Sequence, residues 1–448
     1  MPDVAFQFPD GFLWGAATAA HQVEGDNRNN DWWAWEQQPG HVKDGSTSGR
    51  ACEHYERFAA DFAQLRGMAH NAHRLSLEWS RIEPEPGLVD RAAVAHYREV
   101  LETLRALGME PMVTLHHFTN PRWLADAGGW ESDATPEAFR RFARLCVDEY
   151  GDIVRLWVTI NEPNVYAYQS FMLGEWPPQK KSAAAGATVL RNMLRGHAAA
   201  YREIKGARPE AQVGVAQHLR VFAPYRRWNP LDIAVASLPG AAFNHWFLVA
   251  CRSGFAGFPL GRWERVPEAA GTLDYIGVNY YARDRLAFDI RRPSSLFSRN
   301  HALPGAVLSD FQMEIYPEGL HELMVDAWRR YRLPLYVTEN GVADAGDHLR
   351  PGVLVGHLAQ VARALRDGVD VRSYMHWSSM DNFEWAEGYR MHFGLMEVDF
   401  ATQARRPRPS AALYQAIIER NGLSWEDLEE HYPRALPHLL AGRAGPHS

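Results

Sequence analysis

Short apolar runs and longer amphipathic segments alternate along most of the chain. Eight of the apolar runs have the length and the content of β-branched and aromatic residues that are typical of buried strands. They are GFLWGAA (11–17), AHRLSLEW (72–79), EPMVTLHH (110–117), RLWVTINE (155–162), AQVGVAQH (211–218), LDYIGVNY (273–280), LPLYVTEN (333–340) and VRSYMHWS (371–378).

The segments between these runs predict helices. In 90–107, apolar residues recur at steps of three and four, and Gly108 is expected to end the helix. The segment 135–151 predicts a second helix with Thr135 as its N-cap, and 352–368 predicts a third. Eight strands that alternate with helices predict an α/β fold, a single (β/α)8 TIM barrel.

An open doubly wound sheet is the alternative to the barrel. A dinucleotide-binding sheet needs a glycine-rich turn after its first strand, and WGAATAAHQVEG (14–25) lacks that pattern. No repeat or linker divides the chain, so we expect one catalytic domain over residues 1–448. A barrel needs about 250 residues. The surplus is expected in long loops such as 25–53 and 283–312, and in the tail after Leu423.

Composition and charge narrow the class of partner. The chain of 448 residues has a formal net charge of -7, whereas nucleic acids and anionic membranes require clustered Lys and Arg. We interpret the one dense basic run, 405–408, as a solvated loop. The aromatic content of 12%, with 16 Trp, excludes a disordered chain and suits stacking on a flat ligand.

The cysteines and the N-terminus indicate a compartment. Cys52, Cys146 and Cys251 are widely spaced and form no CxxC pair, so neither a disulfide framework nor a zinc site is expected. The first ten residues lack the basic start and apolar centre of a signal peptide, and no apolar run of 18 residues predicts a transmembrane helix. We therefore expect a cytoplasmic protein.

Polar and aromatic side chains follow seven of the eight predicted strands, at the end where such barrels carry their catalytic groups. In chain order they are Gln22, Arg74, His116-His117, Asn161-Glu162, Asn279-Tyr280-Tyr281, Glu339-Asn340, and Trp377 with Glu384-Trp385. Because neighbouring residues of a strand point to opposite faces, His116 and His117 are not expected to bind one metal ion. We expect no metal and no cofactor.

Two of these groups are carboxyls on opposite sides of the predicted barrel. Glu162 and Glu339 end the fourth and seventh strands, where they could flank a glycosidic bond, one protonating the departing oxygen and the other attacking the anomeric carbon. The attacking carboxylate must stay ionised, and Arg74 and Tyr281 are candidate neighbours for it. Alternatively, LWVTINEPN (156–164) ends in a simple turn at its proline.

A sugar ring also needs hydrogen-bonding partners for its hydroxyls and an apolar platform for its C–H face. The candidate hydroxyl partners are Gln22, His117, Asn161 and Glu384. The candidate platform residues are Trp377 and Trp385.

Together these motifs resemble those of glycoside hydrolase family 1, a family of retaining β-glucosidases and β-galactosidases on a (β/α)8 barrel. The likeness extends from FPDGFLWGAATAAHQVEG (8–25) to RRPRPSAALYQAIIERNGL (405–423). Between them lie RLSLEWSRIEP (74–84), TINEP (159–163), DYIGVNYY (274–281), YVTENG (336–341) and DNFEWAEGYRMHFGL (381–395).

The resemblance implies a role for each site residue. Glu162 matches the acid/base of the family, and Glu339 matches its nucleophile. Arg74 and Tyr281 match the neighbours of the nucleophile. Asn161 is expected to bind the sugar 2-hydroxyl, an interaction that strengthens in the transition state. The remaining glycone positions match Gln22, His117, Glu384 and Trp385, with Trp377 as the platform.

Two departures from the family pattern concern the surroundings of the leaving group. Phe118 begins the stretch 118–121, which stands where the family usually has Trp-Asp-Leu-Pro, and keeps an aromatic beside the glycone. Met313, in DFQMEIYPEGL (310–320), stands where the family usually has a Trp that lines the aglycone site. A thioether offers no rigid face, so weaker stacking of aromatic or sugar leaving groups is expected.

The resemblance implies a retaining β-glycosidase that acts from the non-reducing end through a covalent glycosyl-enzyme. We expect a β-glucosidase with possible β-galactosidase or β-fucosidase activity on small β-glycosides or oligosaccharides, and no nucleic-acid or membrane partner. Relatives that act on 6-phosphorylated sugars lack the Glu-Trp pair, and Glu384 would repel a dianion, so a non-phosphorylated glycone is expected. A transglycosylating family member and a carbohydrate-binding relative without turnover remain alternatives.

Overall fold

Eight parallel strands form a closed barrel at the centre of this computed structural model, which describes residues 4–257, 264–292 and 297–435. Shorter strands lie outside the barrel. In chain order, the strands inside and outside the barrel are β1 (Val4–Gln7), β2 (Leu13–Ala17), β3 (Ala72–Ser76), β4 (Glu110–His116), β5 (Leu156–Asn161), β6 (Gln212–Pro224), β7 (Phe255–Ala256), β8 (Glu264–Arg265), β9 (Tyr275–Phe288), β10 (Ser298–Asn300), β11 (Leu335–Asn340), β12 (Val371–Trp377), β13 (Met396–Asp399), β14 (Ala404–Pro407) and β15 (Gly422–Ser424). The barrel runs β2-β3-β4-β5-β6-β9-β11-β12, and β12 pairs with β2.

Helices occupy the connections between the barrel strands. They are α1 (Ala20–Val23), α2 (Asp31–Glu36), α3 (His54–Gly67), α4 (Trp79–Ile82), α5 (Arg91–Ala106), α6 (Arg122–Asp126), α7 (Thr135–Tyr150), α8 (Pro163–Ala167), α9 (Ala183–Ala207), α10 (Pro230–Pro239), α11 (Trp246–Ser253), α12 (Glu318–Tyr331), α13 (Arg350–Arg366), α14 (Pro409–Arg420) and α15 (Trp425–His431). The predicted (β/α)8 barrel is therefore confirmed, and the open sheet is excluded.

Each of the eight predicted strands overlaps one barrel strand. In β3, β5 and β11 every residue is buried. Strands of a barrel face packed side chains on the inside and helices on the outside, which is why their sequences are apolar on both faces.

Two barrel strands extend beyond the predicted runs. β6 and β9 stay paired in parallel as far as Pro224 and Leu286, and β10 adds an antiparallel strand at the outer edge of β9. The prediction that 283–312 is a loop is thus wrong for its first residues and for β10. This extension places a rigid two-stranded wall beside the open end of the barrel.

The helix predictions hold with one local correction. Asp90 caps α5 by accepting hydrogen bonds from the backbone N–H groups of Ala92 and Ala93, and Gly108 adopts a positive φ after the helix ends. Thr135 is the first residue of α7 rather than its N-cap. Its hydroxyl donates to the carbonyl of Gly129 at 2.5 Å. The Thr135 side chain is therefore bonded to the preceding turn and does not cap the helix.

The C-terminal region covers the barrel and holds the basic run. β15 pairs with β1, and the tail after Leu423 continues into α15. Within 405–408, the Arg405 side chain donates to the buried carboxylate of Asp61, and Arg408 is itself buried. The prediction of a solvated loop is therefore wrong for these two residues, because their carboxylate partners come from distant parts of the chain.

Within the described residues, one helical stretch has the length and apolar composition of a membrane span. It is Pro230–Ser253, with a hydropathy of 1.4 and 39% of its apolar window buried. Asp232, Asn244 and His245 interrupt it, which is why the sequence shows no unbroken apolar run. The stretch packs against β6 and β9, and a core helix passes the same test of length and composition.

Candidate active site

Glu162 sits at the point where the chain leaves the barrel. Its backbone is left-handed, with φ +44°, and Pro163 begins α8 directly after it. A proline is tolerated at the first helical position because that N–H has no helical partner. The turn and the site are therefore one feature: the reversal at Glu162 leaves its carboxyl buried at the rim of the barrel.

Glu339 lies near the end of β11 with its carboxyl held from two sides. Arg74 Nη1 donates to Glu339 Oε1 at 2.5 Å, and the hydroxyl of Tyr281 donates to Oε2 at 2.6 Å. Arg74 is 1% exposed, so its cation is directed at this site and not at solvent. The predicted neighbours of Glu339 are therefore in contact with it.

A chain of hydrogen bonds joins the two carboxyls. Arg74 Nη2 donates to Asn161 Oδ1 at 2.7 Å. Asn279 Nδ2 donates to the same Asn161 oxygen at 3.1 Å and to Glu162 Oε1 at 2.9 Å. Glu162 and Glu339 are thus joined through three intervening residues, Arg74, Asn161 and Asn279.

His218 is the contact of Glu162 that the sequence reading missed. Its Nδ1 lies 2.8 Å from Glu162 Oε1, and its ring stacks on Tyr281 with centroids 5.7 Å apart. The signal was present, since the fifth predicted strand ends in Gln217-His218. No site residue was predicted at the end of that strand.

The two carboxyls influence one another's protonation. Burial raises the pKa of Glu339 to about 7, with the charge of Glu162 adding to the effect and Arg74 opposing it. Burial also disfavours ionisation of Glu162, but His218 and Asn279 outweigh it and hold the pKa of Glu162 below its ordinary range. The pair consequently retains one proton up to about pH 7.

The predicted glycone residues lie next to this chain of hydrogen bonds. Gln22 Nε2 donates to Glu384 Oε2 at 3.2 Å. The His117 ring stacks between two indoles, at 5.9 Å from Trp377 and 6.1 Å from Trp385. This arrangement offers a flat apolar surface next to hydrogen-bonding groups, as a sugar ring requires.

A polar contact and a raised pKa characterise the surroundings of His117 and Glu384. His117 Nε2 lies 3.1 Å from Asn161 Nδ2, which ties the glycone side to the carboxyl network. Burial raises the pKa of Glu384 to about 8, and the charge of Glu339 adds to this effect. At neutral pH the Glu384 carboxyl is therefore protonated and can donate as well as accept a hydrogen bond.

The adjacent histidines have different surroundings. His116 Nε2 accepts a hydrogen bond from Trp130 Nε1 at 3.1 Å and lies 3.2 Å from Asn120 Oδ1, whereas His117 Nε2 lies next to the Asn161 amide. The two rings point away from each other, as alternation along a strand requires.

Further aromatic side chains pack around Trp385 and Tyr281. Phe118 packs against Trp385 at 5.2 Å and against Trp176 at 5.0 Å. Trp176 is half-buried and was not singled out from the sequence. Met313 is also half-buried, in a loop whose Phe311 contacts Phe393 at 6.4 Å, and Phe393 in turn contacts Tyr281 at 6.1 Å.

Known proteins are similar to this chain in sequence and in fold. A sequence profile described as Glycosyl hydrolase family 1 matches residues 4–423. The chain is similar to β-glucosidase A of Thermotoga maritima, with 31% identity over 93% of this chain and 99% of that protein. It is similar to a β-galactosidase of Pyrococcus woesei, with 30% identity over 94% and 99%.

A solved structure has a similar fold over nearly the whole chain. The β-glycosidase from Pyrococcus horikoshii superposes with a TM-score of 0.89 at 35% identity, over 96% of this chain and 98% of that one.

Proposed function

The chain belongs to glycosyl hydrolase family 1, and from this premise we propose that it is a retaining β-glycosidase, a β-glucosidase with accompanying β-galactosidase or β-fucosidase activity. It hydrolyses small, non-phosphorylated β-glycosides from the non-reducing end. One observation carries the proposal: the buried carboxyls of Glu162 and Glu339 are joined by hydrogen bonds through Arg74, Asn161 and Asn279.

In the first step, Glu339 attacks the anomeric carbon while Glu162 protonates the departing oxygen. The bond from the anomeric carbon to the leaving group breaks, and an ester to Glu339 forms. Arg74 and Tyr281 support this role because they stabilise the ionised carboxylate of Glu339. The reactive state has the shared proton on Glu162 and none on Glu339.

In the second step, Glu162 accepts a proton from water, and the water oxygen displaces Glu339 from the sugar. The proton lost in the first step is thereby regained. Since the pair loses its shared proton near pH 7, the basic limb of the profile of kcat/KM against pH should lie near neutrality.

The identity of the glycone follows from the groups around it. Gln22 contacts Glu384, and Asn161 contacts both His117 and Arg74, which supports Asn161 as the partner of the 2-hydroxyl. Glu384 and Trp385 keep the Glu-Trp pair that relatives acting on 6-phosphorylated sugars lack, which supports a non-phosphorylated sugar. The names of the relatives, β-glucosidase and β-galactosidase, support glucose or galactose.

Trapping with a fluorosugar tests the mechanism. Incubation with 2,4-dinitrophenyl 2-deoxy-2-fluoro-β-glucoside should inactivate the protein, and peptide mass spectrometry should find the sugar on Glu339. Glu339→Gln should not be labelled. Labelling of another carboxyl, or slow turnover with inversion at the anomeric carbon, would contradict the proposal.

A panel of substrates separates the related functions. Aryl-β-glucoside, galactoside and fucoside should all be cleaved, with the glucoside giving the highest kcat/KM. A preference for a 6-phosphoglucoside would contradict the glycone proposal. Product analysis with an added alcohol distinguishes hydrolysis from transglycosylation, and binding without turnover would indicate a carbohydrate-binding relative.

We also propose that the enzyme is a single cytoplasmic domain. One continuous apolar core links residues from Ala5 to Leu428, which supports a single unit. Cys52, Cys146 and Cys251 are free and buried, which suits a reducing compartment.

A further inference from the structure

His218 contacts the acid/base of the proposed reaction directly. Its Nδ1 is 2.8 Å from Glu162 Oε1, and both side chains are less than a tenth exposed. The ring is fixed on one side by stacking on Tyr281 and on its edge by Phe243, with centroids 5.7 Å apart. A ring held in this way presents Nδ1 to Glu162 without a choice of rotamers.

The tautomer of His218 follows from the burial of its other nitrogen. Among the described residues, Nε2 is buried and has no hydrogen-bond partner. A buried N–H without an acceptor is costly, so the proton belongs on Nδ1, where Glu162 accepts it. His218 then donates its Nδ1–H to Glu162 Oε1.

Glu162 Oε1 therefore receives two donors, His218 Nδ1–H and Asn279 Nδ2–H. An oxygen that accepts both bonds has no room for a proton of its own. The acidic proton must reside on Oε2, and with that arrangement both donors remain bonded whether Glu162 is protonated or ionised.

We propose that His218 is a positioning residue for the acid/base step: it holds Oε1, assigns proton transfer to Oε2, and sets the pH at which Glu162 exchanges its proton. The inference rests on the proposed function. In the first step the proton moves from Oε2 to the departing oxygen, and in the second it returns from water to Oε2.

Other charged groups also act on Glu162, and the test must hold them constant. They are Arg74 of β3, Arg220 of β6, Tyr281 of β9, Glu339 of β11 and Glu384 beyond β12. Glu339 complicates the titration of Glu162 most, because the two carboxyls share a proton. In the trapped fluoroglycosyl-enzyme Glu339 is an uncharged ester, so Glu162 can be titrated without it.

The experiment measures how fast the trapped enzyme recovers activity between pH 5.5 and 8. Recovery with an alcohol acceptor requires Glu162 as a general base, whereas recovery with azide does not. The parent is compared with His218→Phe, which keeps a ring against Tyr281 but lacks the donor, and with His218→Asn, which keeps a donor but lacks the ring.

The parent and His218→Asn should recover with the alcohol at rates that change little over this range. His218→Phe should show a midpoint near pH 6.5, with about a tenfold loss of rate at pH 5.5 relative to pH 8. Its recovery with azide should match the parent.

Equal profiles for His218→Phe and the parent overturn the proposal, as does an equal shift in both variants. If His218→Phe does not fold, a parent midpoint between pH 5.5 and 8 also contradicts it. A protein that the fluorosugar never inactivates refutes the proposed function instead.

Discussion

Glu384 links sugar binding to the stability of the fold. Burial and the charge of Glu339 raise its pKa from an ordinary 4.5 to about 8. Between these values the folded protein keeps a proton that the unfolded chain releases. The unfolded state binds fewer protons, so the contribution of Glu384 to stability falls as the pH rises through this window.

The variant Glu384→Gln cannot ionise and should escape this loss. Relative to the parent, its free energy of unfolding should increase as the pH is raised from 5 to 8, with a slope of at most about 1.4 kcal/mol per pH unit, and its melting temperature should rise accordingly. The exposed carboxyl of Glu429 offers a control, since Glu429→Gln should show no such trend. A constant difference between Glu384→Gln and the parent over pH would refute the argument.

Met313 should determine how the leaving group is held. Its flexible thioether provides no rigid face beside the cavity, so the variant Met313→Trp should stack aromatic leaving groups better. We predict that the ratio of kcat/KM for aryl-glucoside over alkyl-glucoside rises several-fold in Met313→Trp. Met313→Leu, which restores no flat face, should keep the parent ratio. An unchanged ratio in Met313→Trp contradicts the prediction.

At the scale of single residues, the sequence identifies side chains better than it identifies their contacts. Arg74, Tyr281 and Glu339 were predicted to be neighbours and are bonded. His218 was missed because a histidine at a strand end has many structural roles, and its contact with Glu162 depends on how two distant strands are oriented.

At the scale of elements, Gly341 packs the chain that follows β11 tightly against the end of β12. A Cβ built on Gly341 would lie 2.0 Å from the carbonyl oxygen of Trp377. Gly341 follows the strand that carries Glu339, and Trp377 ends the strand that carries the proposed platform. The missing side chain thus sets the spacing between the nucleophile and the platform.

We predict that Gly341→Ala separates the two strand ends and lowers kcat at least tenfold, together with the melting temperature. Overpacking at such a contact costs about 1 to 3 kcal/mol. Gly206→Ala is the matched control, because Gly206 lies in α9 with open space around it. That change should leave kcat unaltered and stabilise the helix slightly. Parent-like kcat in Gly341→Ala would show that the contact has no role in the site.

Element positions could be predicted well, and their ends less well. The apolar runs identified all eight barrel strands, because burial on two faces requires a continuous apolar sequence. β6 and β9 continue past the rim with mixed residues such as Arg220 and Asp284, which form an ion pair. Such pairing between strands is not visible in the periodicity of either one.

At the scale of the whole molecule, the basic run 405–408 shows what composition cannot reveal. By sequence alone it looks like an exposed charge cluster. In the fold, Arg405 pairs with Asp61, 344 positions earlier, and Arg408 pairs with Asp381 in the segment that precedes Glu384. Only the closure of the barrel brings the last part of the chain to these carboxylates.

The pair of Arg408 and Asp381 joins the C-terminal region to the sugar-binding segment. Arg408 donates to both oxygens of Asp381, at 3.0 and 2.7 Å, and Asp381 is 1% exposed. Burial disfavours the ionised form of Asp381, but His392 and Arg408 outweigh it and hold its pKa below the ordinary range. A depressed pKa contributes stability that is present above the ordinary value and is lost as the pH falls through the folded value.

Removing the Arg408 guanidinium should therefore lower the stability of the fold and weaken substrate binding. Breaking a buried pair leaves an uncompensated charge, which costs about 3 to 5 kcal/mol, so Arg408→Gln should melt several degrees lower at pH 7. The difference from the parent should shrink below pH 4, where Asp381 becomes protonated in the variant. KM should also rise, since Asp381 precedes Glu384 by only three positions. Arg406→Gln, at an exposed position two residues away, should alter neither quantity. Equal effects of the two substitutions would mean that net charge, and not the buried pair, governs this region.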